Sequence, residues 1–202
     1  MKRLLETIPL QPGSHPSRED GMCAMEMVAW LAGEAHSDEP ACACPVLAAL
    51  VRASNDAMTG QERDQLLRPL VPMLVNSRRT AAVEAARGWR IVDLLVRTLA
   101  PRLLEQQGTP ADARVLASLP PVGDAITAQA ARLALTTCAA PLRPVAWVLD
   151  RAIDGQHPQR FVAAAAQVAG AIRGEHGWVE VAALVRRALT LPAPEVARAA
   201  QR

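Results

Sequence analysis

Apolar residues return at steps of three and four along most of this chain, and nowhere do they alternate with polar ones in the two-residue rhythm of a half-buried strand. The clearest case runs from Thr80 to Gln107, where Val92, Leu95, Val96, Leu99 and Leu103 make a single stripe on one helix face. Gly88 and Pro101 fall inside that run, so this longest helix is expected to bend.

Proline and capping residues cut the remainder so that about eight or nine helices are expected, an all-α chain. A first helix should cover Met22 to Ala32, stopped by Gly33. Pro45 suits the first position of a second helix, where its missing N–H loses no partner, and this makes Cys44 the N-cap. Thr59-Gly60-Gln61-Glu62 has capping-box spacing and opens a third helix expected to break before Pro69. A short segment then begins at Pro69 and tolerates Pro72 in its first turn. Thr109-Pro110 opens another helix with Thr109 as cap, and further helices start near Ala125, Pro144, Pro158, Trp178 and Ala193, punctuated by Gly155, Gly174 and Gly177.

Residues 1–20, with Pro9, Pro12, Gly13 and Pro16, read as an irregular lead-in that either wraps the domain or stays mobile, and residues 21–202 as one domain. Short connections favour antiparallel neighbours in an irregular bundle; a HEAT-like stack of helical hairpins is the alternative, although no signature repeats at about 40 residues. The Ala-rich run from Phe161 to Ile172 is apolar round much of its circumference, so it should sit at the centre or pack against another copy, and a dimer is a reasonable expectation.

Half of the 202 residues are hydrophobic and 21% are charged, which suits one globular core and argues against disorder over most of the length. With no Tyr and one Phe, the residues Trp30, Trp89, Trp147 and Trp178 hold nearly all the aromatic bulk available to that core. A net charge of +2 with dispersed arginines argues against a nucleic-acid partner, which calls for a clustered basic surface. Lys2 is the only lysine, as coding bias in a GC-rich genome would produce. The opening residues break at Glu6 and Pro9 before a signal-peptide core can form, and the Phe161 to Ile172 run is well short of the ~20 residues a membrane span needs, so a cytoplasmic location is expected. In that compartment four cysteines read as thiols, metal ligands or a redox pair before they read as disulfides.

Three of those cysteines crowd into Gly21 to Met58. On a helix Cys23, Glu26, Met27, Trp30 and Glu34 share a face, and Glu26 is the only charge between Met22 and Gly33. A carboxylate on so apolar a helix reaches solvent or finds a partner: an arginine, helix amides or a metal. Glu26, His36, Asp38 and Cys44 are the catalytic candidates, with His36 beside Glu34 or Asp38 as an oriented base and Cys23 or Cys44 as its nucleophile. Cys23, His36, Cys42 and Cys44 supply four ligand types that zinc prefers, although Cys42-Ala43-Cys44 is tighter than the usual C-x2-4-C pair. If Cys44 caps the helix begun by Pro45, its sulfur lies near free amides that favour the thiolate, with Cys42 as resolving thiol. Cys138 reads as packing, Asn55 and Asp56 as the end of the second helix, and His15, His157 and His176 as turn or capping residues without a role.

The run from Met22 to Asp56, with Cys23-x-Met25-Glu26, then Ala32-Gly33-Glu34, Ser37-Asp38, a Cys, Pro45-Val46 and Asn55-Asp56, resembles the opening of a family of uncharacterised proteins of actinomycetes and their phages. The segment Leu67-Arg68-Pro69-Leu70-Val71-Pro72 is similar too, and the likeness ends near Leu104. This resemblance implies a host type and brings no activity, cofactor or site residue. Without a phosphate loop, dinucleotide fingerprint or metal-hydrolase motif, the expected function is that of a non-enzymatic helical protein acting by protein binding or self-association, with a surface near Glu34 to Glu39. The alternative is a zinc-binding or thiol-dependent enzyme centred on residues 23 to 44.

Overall fold

The computed structural model describes residues 8–139 and 142–190, and every regular element in them is helical. Helices α1 (Ala24–Ala32) and α2 (Pro45–Ala57) precede a composite helix made of α3 (Gly60–Glu62), a π turn (Arg63–Leu67), a 3₁₀ turn (Arg68–Leu70) and α4 (Val71–Leu74). A second composite joins α5 (Ala81–Leu94), a π turn (Leu95–Leu99) and α6 (Ala100–Gln106). Then come α7 (Pro110–Ala117), α8 (Ala125–Leu135), α9 (Arg143–Ile153), a 3₁₀ turn (Pro158–Arg160), α10 (Ala164–Ala171) and α11 (His176–Leu189). Counting each composite once gives nine helices and no strand among the described residues, the all-α bundle that the periodicity implied. The helix expected from Ala193 lies outside them.

Both composites pass a proline in the same way. The N–H of Arg68 reaches back five residues to the carbonyl of Arg63, the N–H of Ala100 does so to Leu95, and the next residues are Pro69 and Pro101. An interior proline cannot donate to the carbonyl four residues behind it, and its ring presses on that carbonyl. Widening the preceding turn shifts the ladder by one residue and makes room. The helix expected to break before Pro69 therefore continues, and the bend expected near Pro101 is a π turn.

Helix α10 is the central element, in contact with α2, α9, α11 and the π turn Leu95–Leu99. Its Ala164, Ala165, Ala166, Val168 and Ala169 are buried, so the Ala-rich run belongs to the middle of the bundle. Contacts between helices distant in sequence, α2 with α10 and α5 with α11, distinguish this bundle from a solenoid whose units touch only their neighbours.

Several local expectations change. Gly177 lies within the first turn of α11 and not between helices. Thr109 makes no side-chain cap; its hydroxyl donates to the carbonyl of Leu104. Pro158 starts only a 3₁₀ turn. The core is aliphatic: of the four tryptophans only Trp178 is buried, and Trp147 is 46% exposed.

Gly177 marks where α11 crosses α10. A Cβ there would stand 2.3 Å from the carbonyl oxygen of Ala169 and 2.9 Å from its Cα. These are backbone atoms, so the helices themselves would have to separate. Ala gains up to about 1 kcal/mol over Gly in helix propensity, but overpacking of this kind costs about 1–3 kcal/mol or more. Gly177→Ala is expected to destabilise despite its better propensity, which urea unfolding at unchanged m-value will measure.

Candidate functional site

The described part of the lead-in is fixed to the bundle by polar side chains of α1, α2 and the first π turn. The N–H of Gln11 donates to the carbonyl of Met22 at 2.9 Å. Asn55 donates to the carbonyl of Gln11 at 2.8 Å and accepts from the N–H of Ala24 at 3.2 Å, so one buried amide joins the lead-in, α1 and α2. Asp56 accepts from the N–H of Gly13 at 2.7 Å, and Asp64 from that of Leu10 at 3.3 Å. Arg63 donates to the carbonyls of Leu10 at 3.1 Å and Asn55 at 2.9 Å, and also to Met58. Leu10 is buried, and the guanidinium of Arg18 lies 5.6 Å from the ring centroid of Trp30.

Glu26 is the centre of this clamp. It is 1% exposed and stands at the third position of α1, where it closes a capping box with Cys23. Its Oε2 accepts from the N–H of Cys23 at 2.7 Å, while the Cys23 sulfur accepts from the N–H of Glu26 at 3.4 Å. The same carboxylate takes the N–H of His15 at 2.6 Å and the His15 Nδ1 at 2.7 Å. His36 Nε2 lies 3.6 Å from it and 3.0 Å from the carbonyl of His15. A carboxylate and a carbonyl only accept, so His15 carries its proton on Nδ1 and His36 on Nε2. Burial opposes the charge of Glu26, but the amides of Cys23 and His15 and the His15 ring outweigh it, and the carboxyl titrates below its ordinary value of 4.5.

The structure thus places Glu26 with Cys23, His15 and His36, while Glu34 and Asp38 bond elsewhere. Glu34 accepts from the N–H groups of Ala41 at 2.6 Å and Cys42 at 2.8 Å, which folds the turn back on itself. Asp38 and Glu39 face Arg52, at 3.9 and 2.8 Å. An arginine of α2 thus offsets part of the charge of the acidic turn, and neither Glu34 nor Asp38 orients the ring of His36.

Cys44 occupies the N-cap of α2 as its proline implied, but its thiol makes no capping hydrogen bond; it is fully buried, and its backbone N–H donates to the Ser77 hydroxyl at 2.9 Å. Burial, reinforced by the Glu26 carboxylate, pushes the Cys23 thiol up to about 12, so it is held protonated at neutral pH. Burial also raises Cys42, with Glu34 adding to it, and raises Cys138. All four cysteines are free. Among the described residues, which include Cys23, His36, Cys42 and Cys44, no three His, Cys, Asp or Glu side chains are arranged to hold a metal ion.

Three features escaped the reading of the sequence. His15 completes the Glu26 cluster from a lead-in whose path no local pattern specifies. Arg63 and Arg87 are buried, and both give their guanidinium protons to backbone carbonyls; Arg87 donates to Ala188 at 3.1 Å and Ser77 at 2.7 Å. The third is the outer face of α8. Ile126 is 80% and Leu133 70% exposed, one helical repeat of seven residues apart, with Ala130 between them on a shallow groove that Gln129, Arg132 and Thr136 also line. The exposed positions from Ala125 to Thr137 include no charge, and Arg132 is engaged by Asp150 at 2.8 Å.

Compared with protein-family models, curated proteins and solved structures, the chain matches none. The fold and the site therefore stand on their own geometry. Among the described residues, no helix is long and apolar enough to cross a membrane.

Proposed function

We propose that this protein acts by binding another polypeptide through the outer face of α8 and performs no covalent chemistry of its own. The observation that carries the reading is the exposure of Ile126 and Leu133, 80% and 70%, on one face of a capped helix. Single exposed apolar residues are ordinary, but two large ones on one face, whose only lining charge, Arg132, is paired with Asp150, are what a helix presents to a groove or another helix. The residues first suspected of chemistry support this reading from the other side. Glu26 has all its hydrogen bonds committed within the fold, and Cys23 and Cys42 are held as thiols.

The test is a photo-crosslinking residue introduced at position 126 in the full chain, expressed in cells of the organism that encodes it. Irradiation should give a discrete polypeptide adduct there and none at exposed Glu105 on α6. No adduct at 126, or equal labelling at both positions, contradicts the reading. Because the face is solvent-exposed, Ile126→Glu with Leu133→Glu should change stability by no more than about 0.5 kcal/mol per site. Urea unfolding checks this, and a larger loss would mean that the face belongs to the core.

A further inference from the structure

We infer that the polypeptide seated on α8 is a second copy of this chain, with the two α8 helices antiparallel about a twofold axis that passes between positions 129 and 130. The inference rests on the reading of α8 as the interaction surface and adds the identity and orientation of the partner.

Charge is the first argument. The exposed positions of α8, Ala125, Ile126, Gln129, Ala130 and Leu133, and Thr136 just beyond it, carry none, and the one cation lining the groove, Arg132, is already paired with Asp150. Most protein surfaces carry interspersed Lys, Arg, Asp and Glu, and such a partner would bury charges for which this face offers only an arginine already paired. A second copy brings the same face, its one arginine likewise paired. The net charge of +2 sets little repulsion between two copies.

Shape and polarity give the orientation. The face is bulky at both ends and small in the middle, with Ile126 and Leu133 flanking Ala130. An isologous contact requires a surface complementary to itself. In the antiparallel arrangement Ile126 of each copy meets Leu133 of the other, and the small Ala130 pair lets the helices approach. Gln129, whose amide both donates and accepts, can bond its own counterpart near the axis. A parallel arrangement would instead bring together two Asp124 carboxylates, each at a helix N-terminus. Antiparallel pairing sets each Asp124 beside the uncharged Thr136 end of the partner and opposes the two helix dipoles favourably. One helix face is a small interface, so the dimer should be reversible and concentration-dependent.

Sedimentation equilibrium of the full chain from micromolar to millimolar concentration should give a mass rising toward that of two chains. The variant Ile126→Glu with Leu133→Glu should remain at one chain mass with the same far-UV circular dichroism, and Gln129→Arg, placing two like charges at the axis, should do the same. Orientation is read in chains carrying Cys42→Ser and Cys138→Ser. A mixture of Ile126→Cys and Leu133→Cys chains should form the mixed disulfide under mild oxidation, in preference to either symmetric one. A single-chain mass for the natural sequence at every concentration, an undiminished dimer in both variants, or a dominant 126–126 disulfide overturns the inference. If the photo-adduct at 126 instead has the mass of a different polypeptide, the inference fails while α8 keeps its function; if no adduct forms, both fail.

Discussion

Glu26→Ala should lower the free energy of unfolding by about 3–5 kcal/mol, the cost of removing one partner from a buried charged hydrogen-bond cluster. The substitution deletes the acceptor of the His15 and Cys23 amides and of the His15 ring, and it opens the capping box of α1. Glu26→Gln keeps the volume and one acceptor oxygen but presents an NH2 to groups that are themselves donors, so it should recover only part of the loss. The pH dependence has a definite sign. Folding lowers this pKa, so the unfolded chain takes up the proton more readily, and stability rises with pH across the window. The contribution of Glu26 is fully present above its unfolded value, near 4.5, and is lost as pH falls through that value to the lower folded one. Measured by urea unfolding, the gap between the natural sequence and Glu26→Gln should close progressively as pH falls below 4.5. A gap that widened in acid would mean that the carboxyl is protonated in the native state.

Arg87→Ala should be comparably severe, at about 3–5 kcal/mol, because it removes both a large buried side chain and a charged donor from two carbonyls. Arg87 is 2% exposed and ties three parts of the chain together: α5, the last turn of α11 through Ala188, and the loop at Ser77. Its guanidinium sits where the carbonyl end of a helix favours a cation. Lys in its place has a single ammonium at the tip of a flexible stem and cannot span the two carbonyls from one planar fork, so Arg87→Lys should rescue only partly. Arg90, exposed on the same helix, is the control; Arg90→Ala should stay within about 0.5 kcal/mol. Equal effects at positions 87 and 90 in chemical denaturation would contradict the role assigned to Arg87.

What the sequence disclosed, and what it withheld, follows from the range of each interaction. Helix class, the stop at Gly33, the start at Pro45 and the Thr59 capping box depend on residues within four positions of one another, and all are in place. The isolation of Glu26 on an apolar helix was visible in the same way and marked a residue in need of partners. Its partners were not visible, because His15 reaches it from an irregular segment 11 residues away whose path is set by Asn55, Asp56, Arg63 and Asp64 of other elements. Cys44 shows the limit of a local rule: the proline fixes the backbone cap, while packing turns the thiol into buried bulk. The start of a helix near Ala125 was legible, but the exposure of Ile126 and Leu133 was not, because local sequence does not say which face a neighbouring helix covers. Here α9 and α7 pack against α8 and leave those two residues outside.

The stretch from Gly21 to Met58 accordingly contributes a clamp on the lead-in. Amide hydrogen exchange of the natural sequence beside Glu26→Ala tests this most directly. The account predicts that the N–H groups of Gln11, Gly13, His15 and Cys23 are protected in the natural sequence. It predicts further that they lose that protection together in the variant, at a denaturant concentration where α9 to α11 remain protected. Amides of Gln11, Gly13 and His15 that exchange in the natural sequence at the rate of an unstructured peptide would contradict it.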